Sequence, residues 1–115
     1  LIFPESTTTT GVSVRPFHPR LFKSAIESKC SVIPLLISYR NKQGQPLKDI
    51  AWDDHNHFFT TVWRVLSRPE TRVVVAQFKP IQNSQTTSRT ELAKTAHKEI
   101  QQALQQIDNQ HDTNR

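Results

Sequence analysis

Taken from its residues alone, the chain is an α/β protein, with a layered mixed sheet and flanking helices. Three features point to this. Two short apolar runs, VIPLLI and VVVA, are bounded by prolines and polar segments in the way strands are. Apolar residues recur at helical spacing in three other segments. A further apolar scrap opens the chain, so the expected order is strand, helix, strand, helix, strand, helix, the alternation that builds layered α/β folds. At 115 residues one small domain is affordable, hiding roughly two thirds of its unfolded surface.

Leu1 to Phe3 is expected to end a strand, because Pro4 has no amide to give to a ladder. Five successive hydroxyl residues, Ser6 to Thr10, then begin a loop that carries Gly11 and reaches the proline-bracketed RPFHP. Leu21, Phe22, Ala25 and Ile26 lie at helical spacing, with Pro19 suited to the opening turn, and predict a short amphipathic helix through Lys29. Cys30 is the one cysteine, so no internal disulfide forms; it reads as a small buried hydrophobe. Val32 to Tyr39 is nearly all apolar, which predicts a central strand covered on both faces, with Pro34 marking a bulge or a specialised start.

Arg40 to Asp49 is polar, contains Gly44 and Pro46, and reads as a surface excursion. A second helix is predicted from Asn56 to Ser67, where Phe58, Phe59, Val62, Trp63, Val65 and Leu66 form a broad apolar face and Pro69 stops it. Thr71 to Phe78 predicts a second buried strand, and QNSQTTS a loop. Ser88 with Glu91 three residues on is a capping box, opening a helix whose core face is Leu92, Ala96, Ile100, Ala103 and Ile107. His97 and Lys98 fall on its polar side and read as solvated, and NQHDTNR is expected to fray. The organisation is therefore residues 1–81 as the folded part, 82–108 as a C-terminal helix and 109–115 as a disordered tail.

Fifteen Lys and Arg against ten Asp and Glu give a net charge of +5. That excess favours anionic partners, nucleic acid or a phospholipid surface, without choosing between them. A nucleic-acid module has compositional support only: there is no glycine-rich phosphate loop, aromatic ladder or dense basic stripe, and no nucleic acid is expected as partner. No apolar stretch approaches the roughly 20 residues that span a bilayer, so membrane contact within the chain would be peripheral. DDHNH, Asp53 to His57, holds metal-ligand residue types, but adjacent and alternate side chains rarely converge on one ion; the aspartates read as helix-terminal charges and no metal is expected. Trp52, Trp63, Phe58 and Phe59 read as core aromatics, with Trp52 alternatively an interfacial anchor.

The opening segment carries the strongest constellation. A Pro-Glu pair at a strand exit, followed by Ser6, Thr7, Thr8, Thr9 and Thr10, sets one carboxylate and a row of hydroxyls at the sheet edge where α/β folds bind ligands. Such a row suits a polar or phosphorylated head group, or is simply a solvated loop. FPEST, with VRPFHPRLF about ten residues later and then SVIPLLISY, resembles the second half of the glycerophospholipid and lysophospholipid acyltransferase domain of the 1-acyl-sn-glycerol-3-phosphate acyltransferase type. Phe3, Pro4, Glu5 and Thr7 match the family's Phe-Pro-Glu-Gly-Thr motif, Phe17 and Phe22 its aromatic positions, and Val32, Ile33 and Pro34 its Val-Ile-Pro-Val strand.

The resemblance implies an acyltransferase-like fold with its N-terminal half missing. It also implies transfer of a fatty acyl group, in phospholipid biosynthesis, from acyl-CoA or acyl-carrier protein to a lysophospholipid such as lysophosphatidic acid. No cofactor would be bound, and the site would be membrane-associated, on the cytoplasmic face. Phe3, Pro4, Glu5, Ser6, Thr7, Thr8, Thr9, Arg15, His18 and Pro34 would contact or shape the substrate site. Three departures stand out: Ser6 replaces the motif's Gly, Thr8 stands where many members place an Arg on the substrate phosphate, and His18 where a Lys often follows the Phe. Arg15 and Arg20 are near enough in sequence to compensate. The family's general base is a His followed five positions on by an Asp. None of His18, His55, His57, His97 and His111 has one, so no catalytic residue is expected in this chain. The absence of methionine and the apolar start at Leu1 are what a fragment would show. The alternative is a non-catalytic remnant that binds lipid or a partner.

Overall fold

In the computed structural model the structure describes residues 1–7, 11, 13–48, 50, 58–83 and 88–113, without the side chains of 110–113. A 3₁₀ turn, Pro19–Phe22, runs directly into helix α1, Lys23–Glu27; strand β1 is Leu35–Arg40, helix α2 Phe58–Leu66, strand β2 Arg72–Gln77 and helix α3 Arg89–Thr113. The α/β character and the positions of both interior strands are as expected. The sheet itself has two strands, β1 and β2, antiparallel, with Leu36 opposite Ala76 and Ser38 opposite Val74. Leu1 to Phe3 forms no strand among the described residues and is exposed.

Helix α3 is the spine against which the 3₁₀ turn and the sheet pack. Its capping box is reciprocal: the Ser88 amide donates to Glu91 Oε2 at 3.0 Å, and the Glu91 amide to Ser88 Oγ at 3.2 Å. Along its inner face, Leu92, Ala93 and Ala96 enclose Phe22, with Phe17, Ala25, Ile26, Val32 and Ile81 around them. One and two turns on, Ile100, Ala103 and Leu104 enclose Leu36, flanked by Val14, Phe17, Ala76, Phe78 and Ile107. Phe17 touches both clusters. Alanines at 93, 96 and 103 keep this face low, so the 3₁₀ turn and the sheet approach closely, as helix packing distances depend on side-chain size. Burying a side chain such as Phe22 contributes about 1.5–3 kcal/mol. The helix continues beyond Asp108 to Thr113, into the segment expected to fray.

Expectation and structure part company over what is covered. In β1 the residues alternate strictly: Leu36, Ser38 and Arg40 are buried under α3, while Leu35, Ile37 and Tyr39 face outward with Val73 and Val75 of β2. The strands are thus covered on one face only, not both. Trp63, Phe58 and Phe59 of α2 are exposed rather than core residues, and Cys30 is exposed rather than buried. Pro34 does act as a specialised start: Val32 and Ile81 exchange both amide bonds, at 3.1 and 2.8 Å, ahead of it, and regular pairing resumes only at Leu35.

The excursion after β1 is compact. The Arg40 guanidinium is 1% exposed and fully engaged: it donates to Asp108 Oδ1 at 2.6 Å, to the Gly44 carbonyl at 2.8 Å and to Ser38 Oγ at 3.1 Å. It therefore ties the strand, the turn and the far end of α3 together. Gly44 has φ 78°, which a side chain disfavours.

Candidate functional site

The site begins as a tight turn. Pro4 and Glu5 are its central residues, closed by the Ser6 amide donating to the Phe3 carbonyl at 3.2 Å. Ser6 follows with φ 55°, a left-handed backbone normally taken by glycine. This is the position at which the resembling motif carries Gly. Ser6 and Thr7 are exposed, Pro4 and Glu5 half-buried, and Phe3 mostly exposed.

Two hydrogen bonds fasten the turn to the segment that closes the loop. The Arg15 amide donates to Glu5 Oε2 at 2.9 Å, and the His18 amide donates to the Pro4 carbonyl at 2.9 Å. One carboxylate oxygen of Glu5 is thereby used to hold residues 5 and 15 together, which makes Glu5 the clasp of the loop. The Arg15, His18 and Arg20 side chains are exposed along its closing segment, as Ser6 and Thr7 are on the turn. His18 also starts the 3₁₀ turn, its carbonyl accepting from the Leu21 amide at 3.1 Å.

What keeps that segment in place is α3. Val14 and Phe17 pack into its apolar clusters, and Phe17 stacks on Phe22 with ring centres 6.3 Å apart. His97 lies edge-on to Phe17 at 5.3 Å, with Nε2 3.2 Å from the Val14 carbonyl. His97 is therefore half-buried and tied to the loop, not solvated; its spacing of four and three residues from Ala93 and Ile100 is the signal that places it on the inner face. Arg40 carried a similar signal, two residues beyond Ser38 and four beyond Leu36 on the inward face of β1.

The structure thus brings Pro4, Glu5, Arg15 and His18 together, with Ser6 and Thr7 beside them. Thr8 and Thr9 lie outside the described residues, as do Trp52 and Asp53 to His57. Pro34 is buried at the entrance to β1, where its carbonyl accepts from the Phe78 amide at 3.1 Å. No group of three metal-ligating side chains occurs among the described residues, and none of the described helices is long and apolar enough to cross a membrane. Chemically, a clasped loop of this kind presents exposed hydroxyl and guanidinium side chains at the protein surface, while the amides of Ser6, Arg15 and His18 are spent within it.

The resemblance to acyltransferases of the glycerophospholipid and lysophospholipid type is borne out by curated homologues, which match as a partial acyltransferase domain would. A lyso-ornithine lipid O-acyltransferase of Pseudomonas aeruginosa is 38% identical over 104 residues, covering 90% of this chain and 40% of that protein. A 1-acyl-sn-glycerol-3-phosphate acyltransferase of Neisseria gonorrhoeae is 29% identical over 73 residues, and one of Neisseria meningitidis 31% over 65. They cover 64% and 56% of this chain. The chain spans 40%, 28% and 25% of the lengths of these three relatives. No family model matches it, and no solved structure does.

Proposed function

We propose that the chain is the head-group-binding part of an acyltransferase that moves a fatty acyl group from acyl-CoA or acyl-carrier protein to a lysophospholipid. Glu5 holds the loop shut, Ser6, Thr7, Thr8 and Thr9 line the pocket, Arg15 and His18 border it, and Pro34 shapes the adjoining strand. The observation that carries this most is the φ of 55° at Ser6, in the place of the motif's Gly. The FPEST segment takes up a backbone that the motif's own residue would favour. The His and Asp of the chemistry come from sequence outside this chain, which spans no more than 40% of the relatives named above. That sequence also completes a layered sheet over the outward apolar face of β1 and β2, and the site works at the cytoplasmic face of a membrane.

Thr8 favours a second acceptor. Without an Arg at that position the loop loses a bidentate phosphate contact, so a lyso-lipid whose head group lacks phosphate is better suited to it than lysophosphatidate. Lyso-ornithine lipid, the acceptor in the name of the Pseudomonas relative, is such a lipid.

Purified protein carrying this chain together with a His/Asp pair, offered acyl-CoA or acyl-carrier protein with either acceptor, is the test. Transfer is expected, and Glu5→Ala should reduce it sharply while Glu5→Gln, whose amide oxygen still accepts from Arg15, retains most of it. An unchanged rate in Glu5→Ala removes the pocket assignment. Measurable turnover by the 115 residues alone would overturn the division of labour.

A further inference from the structure

We propose that His97 of α3 is a positioning residue for the lyso-lipid acceptor, acting on Glu5 through the single peptide that joins Val14 to Arg15. This rests on the reading of Glu5 as the clasp of a head-group loop, and adds the group that holds the clasp from behind. The two ends of that peptide are bonded to different elements. His97 Nε2 lies 3.2 Å from the Val14 carbonyl, and the Arg15 amide donates to Glu5 Oε2 at 2.9 Å. A carbonyl oxygen only accepts, so Nε2 carries the proton and the imidazole donates. The carbonyl of residue 14 and the amide of residue 15 belong to one planar group, which cannot turn at one end without turning at the other. A donor on the carbonyl also polarises the amide and strengthens the bond that the amide makes. Helix, peptide and carboxylate therefore form one hydrogen-bonded chain.

The residues around this peptide divide between the same two elements. Val14 and Phe17 pack into the apolar clusters of α3, and the imidazole stands edge-on to Phe17 at 5.3 Å. Arg15 and His18 instead give their amides to the turn, at Glu5 Oε2 and at the Pro4 carbonyl. His97 stands on the packed face of α3, four residues after Ala93 and three before Ile100, between the two clusters. Packing alone would be served there by an apolar side chain, and a half-buried imidazole is tolerated because its polar edge is bonded. What the imidazole adds is the donor. The exposed side chain of Arg15 leaves from the same held backbone, so His97 sets the origin of a cation as well as the place of the carboxylate.

The test is a double-mutant cycle between His97 and Glu5, in purified protein carrying this chain together with a His/Asp pair. His97→Phe keeps a ring against Phe17 and removes the donor, whereas His97→Gln keeps a donor. Exchange of the Arg15 amide should quicken roughly two- to tenfold in His97→Phe, the range of one lost hydrogen bond, and stay near the parent rate in His97→Gln. KM for the lyso-lipid should rise by a similar factor, by more than kcat falls, with no rise in KM for the acyl donor. In Glu5→Ala, where no carboxylate is left to hold, adding His97→Phe should change neither readout further. A residue that only packs would act alike in both backgrounds. Exchange and acceptor KM in His97→Phe equal to the parent's, a deficit that His97→Gln shares in full, or an equal effect with and without Glu5 would each overturn the proposal. Amide exchange reads the clasp without turnover, which separates the two readings. Coupling in exchange without acyl transfer keeps the link from His97 to Glu5 and removes the acyltransferase reading; transfer that needs Glu5 but is not coupled to His97 sinks the role of His97 alone.

Discussion

Replacing Ser6 with glycine should tighten the loop that the site is built on. A left-handed backbone costs a residue with a Cβ roughly 1–2 kcal/mol, and φ at Ser6 is 55°. Glycine removes that cost but frees the unfolded chain, giving back about 0.4–1 kcal/mol. The net gain is about 0.5–1 kcal/mol, a factor of about two to five in the closed-to-open ratio. Two amides report it, because the turn must be closed for Arg15 to reach Glu5 Oε2 and for His18 to reach the Pro4 carbonyl. Hydrogen exchange at both should slow by that factor in Ser6→Gly. Ser6→Val should quicken it, since a β-branched residue tolerates this backbone still less. Unchanged or faster exchange at the two amides in Ser6→Gly would mean that the backbone at residue 6 is not left-handed in solution, and the correspondence with the motif's Gly would fall.

Lys29 poses the same question at a helix end: it has φ 54°, and the Cys30 amide bonds the Ala25 carbonyl while its own bonds Ile26, a Schellman cap, so Lys29→Gly should stabilise the chain by about 0.5–1 kcal/mol in urea unfolding. Asp108→Ala should cost about 2–4 kcal/mol in the same assay, somewhat below a fully enclosed ion pair because Asp108 is 34% exposed while Arg40 is 1% exposed; a loss under about 0.5 kcal/mol would show that the ion pair is dispensable. Glu91 is held below its ordinary value of 4.5 by the Ser88 amide first and the Ser88 hydroxyl second. Its contribution to the start of α3 is therefore full above about pH 4.5 and lost as pH falls through the lowered folded value, whereas Glu91→Gln should show no loss in that window when helix-end exchange is followed.

The features legible in the sequence are those decided within a few residues. Ser88 and Glu91 close their box three positions apart, Pro19 opens a turn that continues into α1, and the β-branched centres of both strands mark their positions whatever packs on them. The fastening of Glu5 to Arg15 was not legible, because it joins residues ten apart through a backbone amide that any side chain at 15 would supply. Nor was the partner of Arg40: alternation along β1 points the residue inward, but Asp108, which pairs with it, lies 68 positions away. His97 was misplaced for a related reason: its imidazole looks polar on a helical wheel, yet it packs edge-on to Phe17 and sits within hydrogen-bonding distance of the Val14 carbonyl.

Covering is the one property that an apolar pattern does not specify. VIPLLI and VVVA lack the polar alternation that an antiparallel sheet with one wet face usually shows, and α3 covers only one side of them. Leu35, Ile37, Tyr39, Val73 and Val75 consequently form an exposed, neutral apolar surface. A neutral β surface is satisfied by another layer of protein, since nothing on it discriminates among apolar atoms, and the relatives are more than twice as long as this chain, 104 residues of which match 40% of the Pseudomonas protein. On the proposed reading, serine substitutions at Ile37 and Val75, both exposed on that surface, should therefore weaken association with the rest of an acyltransferase domain supplied in trans, as read by co-purification; association equal to that of the parent would show that another layer does not dock there.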